Sequence, residues 1–319
     1  MTNPFYPRRR QIAMKVEVTP GTEEALADAD VIAPSYSVEY TPSVEMADRG
    51  DVVQASMSRL PMIAGERSVE MTFATELKGS GTAGTAPPQL SAPLQGCGMD
   101  ETLVASTSAT YGPVSEDQKS VTIEIREGSG GTDFKSVKSV GSRGTFTLTA
   151  TKGQPVLVNF TFSGKYVEPT DTTAFATPSP APAPIPFLSS AFSFQGTSLK
   201  VQEVTLDIAN NVVLRNDSAE ATGNSMAVIE RREPTGSLNP ERELVATFNA
   251  YNAWTSNTEG ILTYSLTGSA GNITVVTCPK AQIQELAPGD RDGIGTDDLT
   301  ISLNQSINAG DDEISIAFT

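Results

Sequence analysis

Histidine is absent from this sequence of 319 residues, and cysteine occurs only twice, as Cys97 and Cys278. Without histidine there is no Ser-His-Asp or Cys-His catalytic set, no His-ligated metal centre and no common proton shuttle at neutral pH. Two cysteines are too few for a thiolate zinc cage or a disulfide-dense scaffold. Most familiar hydrolases and metalloenzymes are therefore excluded, while the redox state of the two thiols stays open.

Long apolar segments are also lacking. No apolar run approaches the roughly 20 residues that cross a bilayer, and residues 1–18 lack the apolar core of a signal peptide. We therefore expect a protein that is made and kept in a cytosol and has no contact with a membrane.

Positive charge is scarce, with 22 Lys and Arg against 38 Asp and Glu, a net charge of −16 and a pI near 4.4. Affinity for nucleic acid comes mainly from cations that displace phosphate counterions, so this chain is not built to grip DNA or RNA. The one basic cluster is Arg8, Arg9 and Arg10. It is either a solvated terminus or an arm that docks on an acidic neighbouring subunit.

Alternating apolar residues dominate the pattern and predict half-buried strands. Gly, Asp, Asn, Ser and Pro fill the spacers, as expected for turns between antiparallel strands. The clearest alternations are Val69 to Phe73, Val121 to Ile125, Val156 to Phe162, Leu199 to Ile208, Ile301 to Leu303 and Ile314 to Phe318.

Two stretches favour helices. Asn239, Pro240 and Glu241 look like a helix start, and Leu244, Phe248 and Tyr251 then share one face, which predicts a helix over 240–256. A shorter helix is predicted over 88–95, limited by Pro93 and ended by Gly96 and Gly98.

A stretch rich in Pro, Ala and Thr, residues 168–186, divides the chain near its middle and is typical of a stiff connector. Both halves run from strand and polar hairpin to a Gly-Ser stretch, a helix opened by proline and a closing strand, 156–160 or 313–318. This order suggests an ancient duplication, with convergence on generic β patterning as the alternative. The predicted units are an N-terminal arm (1–20), a first β-rich half (21–167), the connector (168–186) and a second β-rich half (187–319).

Acidic clusters are the main candidates for chemistry. Calcium prefers several oxygens on a flexible loop, but the EF-hand spacing is not met, and solvated turns are the favoured interpretation. Paired carboxylates could hydrolyse glycosides, yet with 38 acids the spacing selects no pair. We therefore assign no catalytic, cofactor-binding or metal-binding residue and expect no enzyme. The clusters are Asp290, Asp292, Asp297 and Asp298 in one loop, and Asp311, Asp312 and Glu313 in another.

Residues 41–65 are long and mixed for a hairpin connection, and their end carries Met57, Leu60, Met62 and Ile63. Long ordered loops are often interaction elements, so these apolar residues serve either the core or a contact with another subunit. Trp254 is interpreted as helix packing, with a sugar platform as the alternative. The glycine-rich residues 79–84 lack the Lys-Ser/Thr ending of a phosphate loop and are interpreted as a flexible connection.

Several blocks resemble the major tail tube proteins of long-tailed, non-contractile bacteriophages. They are ELKGSGTAGTAPPQLSAPLQGCGM at 76–99, and then NPERELVATFNAYNAWTSNTEG, GSAGNITVVTCPKAQI, GDRDGIGTDDLTISL and GDDEISIAFT in the second half. The match touches most of the chain, although it consists of small, turn and acidic residues. Pro93 departs from the leucine-rich helix of that family.

The resemblance implies a β-sandwich or barrel-like subunit with one or two short helices, which forms rings that stack into the hollow tail tube of a virion. It implies no cofactor, and its partners are other copies, the tape measure, tail tip and tail terminator proteins, and viral DNA passing through the lumen. Two related halves per chain predict trimeric rings with pseudo-sixfold symmetry, and a single unit predicts hexamers. A β-rich virion decoration protein or carbohydrate-binding module is the alternative.

Overall fold

A computed structural model describes residues 3–178, 182–188 and 190–319. In these residues the fold is mainly β, with two short α-helices and a large antiparallel sheet, as predicted. The alternating segments at Val69 and Val156 lie in or beside strands with one buried face, whereas Val121 to Ile125 is buried on both faces, including Thr122 and Glu124.

The first half of the chain contains eight strands, one α-helix and one 3-10 turn (Asp28–Asp30) among the described residues. The elements are β1 (Phe5–Val16), β2 (Ser35–Ala47), β3 (Ile63–Glu76), α1 (Ser91–Gly96), β4 (Met99–Val104), β5 (Ser108–Pro113), β6 (Val121–Ser129), β7 (Asp133–Thr151) and β8 (Leu157–Thr173).

The second half contains nine described strands and one helix. They are β9 (Ala191–Phe194), β10 (Val201–Asp207), β11 (Asn210–Asn216), β12 (Asn224–Arg232), β13 (Thr235–Pro240), α2 (Ala250–Thr255), β14 (Glu259–Leu266), β15 (Thr274–Arg291), β16 (Ile294–Asn304) and β17 (Ser315–Phe318).

Corresponding strands occur in the same order in the two halves. The first half pairs its strands in the order β2-β3-β8-β7-β6-β1, and the second half in the order β10-β13-β16-β15-β14-β9. Along the chain, the helix of each half follows the strand that is second in this pairing order and precedes the strand that is fifth, namely β3 and β6 for α1, and β13 and β14 for α2. The pairs β6–β7 and β14–β15 also share a register shift at the same end, after Val121 and after Gly260.

The two series join into one sheet because β10 pairs with β7. Eight strands thereby follow one another as β2-β3-β8-β7-β10-β13-β16-β15. A second connection is the pairing of β5 with β17. Gly79 packs so closely on the second half that an added Cβ would lie 1.9 Å from the carbonyl oxygen of Gly271. The glycine-rich residues 79–84, interpreted above as a flexible connection, thus make a tight backbone contact.

One face of the eight-stranded sheet forms much of the hydrophobic core. A single rung across five strands consists of Ile301, Gly236, Leu206, Leu148 and Val158, all buried. Neighbouring rungs bring aromatic rings together, with 5.1 Å between the ring centroids of Phe73 and Phe160. Burying so many apolar side chains stabilises the fold and fixes the register, since a shift by one residue would expose the entire apolar set.

The helix predicted over 240–256 is wrong in its first part. Residues up to Pro240 belong to β13, and the helix spans only Ala250–Thr255. The Asn239 side chain does not cap a helix but accepts hydrogen bonds from the backbone N–H groups of Gln202 and Glu203 on β10. The observed N-cap is Asn249, whose side chain accepts from Asn252 N. The shorter predicted helix is confirmed as α1, a few residues later than expected.

Three other expectations change in detail. Most of the segment predicted as an N-terminal arm is strand β1, paired with β6 of the same chain. The first part of the predicted connector, up to Thr173, is the end of β8, and its residues 179–181 lie outside the described residues. The closing strands at 156–160 and 313–318 do not correspond, because β16, and not β17, takes the position of β8 in the strand order.

Candidate functional site

The second face of the eight-stranded sheet is polar and faces away from the core. One of its rungs consists of Thr300, Ser237, Thr205 and Thr149 on four successive strands. Short hydroxyl side chains on this face alternate with the buried apolar residues of the core face. We call the outward-facing residues of these eight strands the polar face.

Six carboxylates stand in the middle of the polar face, and all are exposed or half-buried. None of them forms an ion pair with a described residue, in contrast to acids such as Glu127 and Asp297, which pair with Arg10 and Arg242. The six are Glu39, Glu70, Glu203, Asp207, Glu285 and Asp298.

Cations are excluded from the middle of this face. Strands β2, β10, β13 and β16 contain no lysine or arginine at all. At one end of the sheet Arg143 and Lys165 lie under the β11–β12 hairpin, where Lys165 pairs with Glu220. At the other end Arg291 pairs with Glu241. The middle of the polar face therefore carries uncompensated negative charge, which repels a polyanion.

A groove of about 560 Å³ runs along the polar face in the second half. Trp254, exposed by 39%, stands at its border, and its indole N–H donates to Gln284 O at 2.9 Å. Trp254 thus lies on a helix, as the packing interpretation predicts, and also beside a groove, as a sugar platform would. Other residues that line the groove are Glu203, Ser237, Asn239, Glu285, Asp298 and Thr300.

One edge of β15 is open along half of its length. Strand β14 pairs with residues only as far as Gln282, so the segment from Ile283 to Arg291 meets no strand on that side among the described residues. The corresponding edge of β7 is not open, because β10 pairs with Thr147 to Thr151 there. At the far end of the eight strands, the outer edge of β2 is likewise unpaired in the described chain. Open edges are templates for pairing with another chain.

The long segment predicted as an interaction element is largely a hairpin. Residues 41–47 and 63–65 belong to β2 and β3, and 48–62 form the tip. Of its apolar residues, Met57 and Ile63 are exposed and Met62 is 39% exposed, which favours the contact interpretation over the core interpretation.

Acids of both clusters form hydrogen bonds or ion pairs within the fold. Asp290 accepts from Gly293 N in the β15–β16 turn, and Asp297 is buried against Arg242. Asp311 accepts hydrogen bonds from Ser115 and Arg232. Burial alone would raise the pKa of Asp311, but these hydrogen bonds outweigh it and lower the pKa. No group of three or more His, Cys, Asp or Glu side chains within the described ranges could hold a metal ion.

The basic cluster contacts its own chain. Arg10 forms an ion pair with Glu127 at 2.9 Å, and the Arg9 guanidinium lies over the ring of Phe134 at 5.2 Å. Arg8 is exposed. Two of the three arginines are thus engaged within the subunit.

Both cysteines are free thiols in the core. Burial raises the pKa of Cys97 and of Cys278 above the usual range for a thiol, so both stay neutral and unreactive at neutral pH. Neither thiol stands on the polar face.

Sequence reasoning missed the polar face. The signal was present as Thr, Ser and Asn at alternate positions of β7, β8, β13 and β16, which by themselves indicate only the less buried side of each strand. Their joining into one face follows from the pairing of β7 with β10, which the sequence does not display. No helix in the described part of the chain is long and apolar enough to cross a membrane.

Comparison with known proteins gives one finding. A search among curated proteins finds no match. The family model described as phage tail tube protein matches residues 7–319, nearly the whole chain, and this family supplies structural components of virions. A mainly β chain with an acidic sheet face fits the resemblance drawn from residues 76–99 and from the second half. The chain belongs to the phage tail tube protein family.

Proposed function

We propose that this protein assembles into rings that stack into the tube of a non-contractile phage tail, and that the polar face lines the bore. The observation that carries the proposal is the polar face itself, an eight-stranded surface with six unpaired carboxylates and no cation in its middle. A channel for DNA needs a wall that does not trap phosphates, and carboxylates supply repulsion in place of binding.

Strand pairing supports a specific route to the ring. Inside one chain, β10 of the second half pairs with the C-terminal part of β7 in the first half. By strand order, β2 corresponds to β10 and β15 corresponds to β7. The open edge of β15 from Ile283 to Arg291 can therefore accept β2 of the next chain, which continues the sheet from subunit to subunit.

The same correspondence favours trimers. If the two halves are copies of one unit, three chains place six units around the bore with pseudo-sixfold symmetry. If they are not, six chains per ring is the alternative. The contact of β2 with β15 is heterologous, so rings close by rotation, and an unclosed contact along the axis would produce a filament.

The other parts of the proposal come from the resemblance to the family. The chain is made in the cytoplasm of the bacterial host and resides in the tail of the virion. Its partners are other copies, the tape measure protein inside the tube, the tail tip and terminator proteins at its ends, and DNA that passes without specific binding. Catalysis is not part of this role.

The alternative is a β-rich decoration or carbohydrate-binding protein. The observation in its favour is the groove beside Trp254, because half-exposed tryptophans can stack on sugar rings. A monomer that binds oligosaccharides, and loses that binding on Trp254→Ala substitution, would favour this second function.

Electron microscopy of the purified protein at high concentration tests the proposal. We expect rings or hollow filaments, and averages without imposed symmetry should show three chains and six similar lobes per ring. Six identical chains per ring would refute the trimer while leaving the tube intact. A protein that stays monomeric at every concentration would refute the tube.

A further inference from the structure

The second half folds its long hairpin back onto the first half. Strands β10 and β13 continue into β11 and β12, and this β11–β12 hairpin packs against β7 and β8. The Arg143 guanidinium donates to Ala227 O at 3.2 Å, and Arg67 N donates to Thr222 O at 2.9 Å. The hairpin is therefore a structural cover for the first half.

This cover includes the C-terminal end of α1. Asn210 of β11 donates from Nδ2 to Cys97 O at 2.8 Å and to Gly144 O at 2.9 Å. At Gly98, a Cβ would meet the side chain of Ile229 at 3.0 Å. The contact leaves the apolar residues Leu94 and Cys97 of this region buried.

The first half has the corresponding hairpin, β2–β3, but residues 48–62 at its tip are almost all exposed and form no ion pair with the rest of the described chain. Met57 at the tip is fully exposed, and Met62 and Ile63 at the start of the return strand are 39% and 55% exposed. A contiguous apolar group of this kind in water is typical of an interaction surface.

The second half has the corresponding surface, which is uncovered. Helix α2 takes the place of α1 in the strand order, yet Tyr251 and Trp254 on it are 48% and 39% exposed. Ile261 on the following strand β14 is also exposed. The end of α1 is thus in contact with a hairpin of its own chain, whereas these residues at the α2 end are exposed, although Ala250 and Ala253 of α2 are buried.

One charge at the hairpin tip is free to meet the acids of the other surface. The tip carries two arginines and two acids; Arg59 pairs with Asp48 at 3.0 Å, while the exposed Arg49 has no ion-pair partner among the described residues. The groove beside Trp254 carries Glu285 and Asp298, neither of which is in an ion pair with a described residue. Opposite charges at the rim of an interface guide association and select the partner.

We propose that the β2–β3 hairpin of one copy covers the α2 end of the next copy in the same ring, as the β11–β12 hairpin covers the α1 end within the chain. The occupant is a second copy of this chain, and the inference rests on the proposed ring. In this arrangement every half of the ring is covered by the hairpin of the half that follows it.

Cross-linking tests this contact. The natural thiols are buried, so introduced cysteines are the reactive ones. A chain with Met57→Cys and Tyr251→Cys, assembled and treated with a short bis-maleimide, should give a covalent product that ends at three chains on a denaturing gel. Each single substitution is the control, and neither should give a closed product.

A second measurement does not depend on whether a cross-linker spans the distance between two introduced cysteines. Tyr251→Lys should raise the protein concentration needed for half-maximal assembly at least tenfold, measured by analytical ultracentrifugation. Leu103→Lys is the matched control, since Leu103 on β4 is exposed to the same degree (49%), and it should leave assembly unchanged. Thermal unfolding of both variants confirms that they fold.

The outcomes separate the two proposals. Wild-type protein that never assembles refutes the proposed tube, whatever the hairpin does. Normal rings combined with no cross-link and unchanged assembly of Tyr251→Lys refute the hairpin contact alone. A ladder that continues past the number of chains counted in one ring by electron microscopy also refutes it, because the hairpin would then join one ring to the next.

Discussion

Glu17 is a buried carboxylate, 3% exposed, that joins three segments of the first half. Its oxygens accept from the backbone N–H groups of Gly21 and Gly141 at 2.7 Å each, and from the hydroxyls of Ser120 at 2.5 Å and Thr122 at 2.9 Å. Four donors depend on one side chain, so its loss leaves buried polar groups without an acceptor.

We predict that Glu17→Ala lowers the free energy of unfolding by about 2–4 kcal/mol, because buried donors lose a charged acceptor. Urea unfolding of the non-assembled protein measures it. The control is Glu116→Ala at an exposed position, which should change stability by less than about 0.5 kcal/mol. Equal stability of the two variants would contradict the role of Glu17.

Two buried thiols and a hydrogen-bonded phenol predict a loss of stability at alkaline pH. Burial raises the pKa of Cys97 and Cys278, and a hydrogen bond to Glu76 raises the pKa of Tyr36 to about 12. In the unfolded chain a thiol ionises near pH 8.5 and a phenol near pH 10. Since the folded pKa values are higher, the stability these groups confer is complete below about pH 8.5 and declines as pH rises.

These groups should therefore leave the urea midpoint of unfolding unchanged from pH 7 to 8.5. Above pH 8.5 the thiols should lower the midpoint, and above pH 10 the phenol should lower it further. Cys278→Ser measured beside the wild type isolates the thiol contribution, and its alkaline slope should be shallower. A midpoint that rises between pH 8.5 and 11 would be inconsistent with these shifts.

At the scale of elements, strands were predicted well and helices less well. Period-two patterns such as Val156 to Phe162 are unambiguous because one face of the strand is buried. Residues 240–249 show why the helix failed, since a start signal of Asn, Pro and Glu suits both a helix cap and the end of strand β13. Contacts of Asn239 with β10, which are distant in sequence, decided between them.

The hairpin tip provides the prediction at this scale. Replacing residues 49–61 by a short Gly-Asn-Gly turn should leave the melting temperature of the subunit within a few degrees, because the tip residues lie outside the core. Assembly should be lost. Scanning calorimetry and sedimentation velocity measure the two effects, and tubes of normal length from the shortened chain would contradict the contact.

At the scale of the whole molecule, part of the net charge of −16 can be assigned to one surface, the polar face. Glu203, Asp298 and the other acids of the polar face stand where no strand cation compensates them, while many remaining acids are paired. A repulsive wall is screened by salt within roughly 10 Å at 0.1 M, so its effect depends on ionic strength.

Charge reversal on the polar face should slow genome ejection. We predict that virions built with Glu70→Lys and Glu203→Lys release DNA several-fold more slowly than wild type, because the lysines bind passing phosphates. The matched control is Glu116→Lys with Asp100→Lys, both exposed and outside the eight strands of the polar face, which gives the same net charge. Fluorescence of a DNA dye after triggered ejection measures the rate, and equal rates for the two pairs would refute a role for the wall.

Local features of the sequence determined the class of this protein. The missing histidine excluded His-dependent catalysis and His-ligated metal sites, and the acidic balance excluded tight binding of nucleic acid. The period-two pattern predicted a β-rich subunit. Each inference depends only on residue type and spacing. Residues 76–99 and the second half resembled tail tube proteins, and the family match confirmed that resemblance.

Only the tertiary structure decided which acids share a surface and which edges stay open. The polar face exists because β10 pairs with β7, and the open edge of β15 exists because β14 ends its pairing at Gln282. Such pairings join residues tens of positions apart and depend on the packing of the whole core. No local pattern carries that information, because strands such as β8, β13 and β16 alternate in the same way.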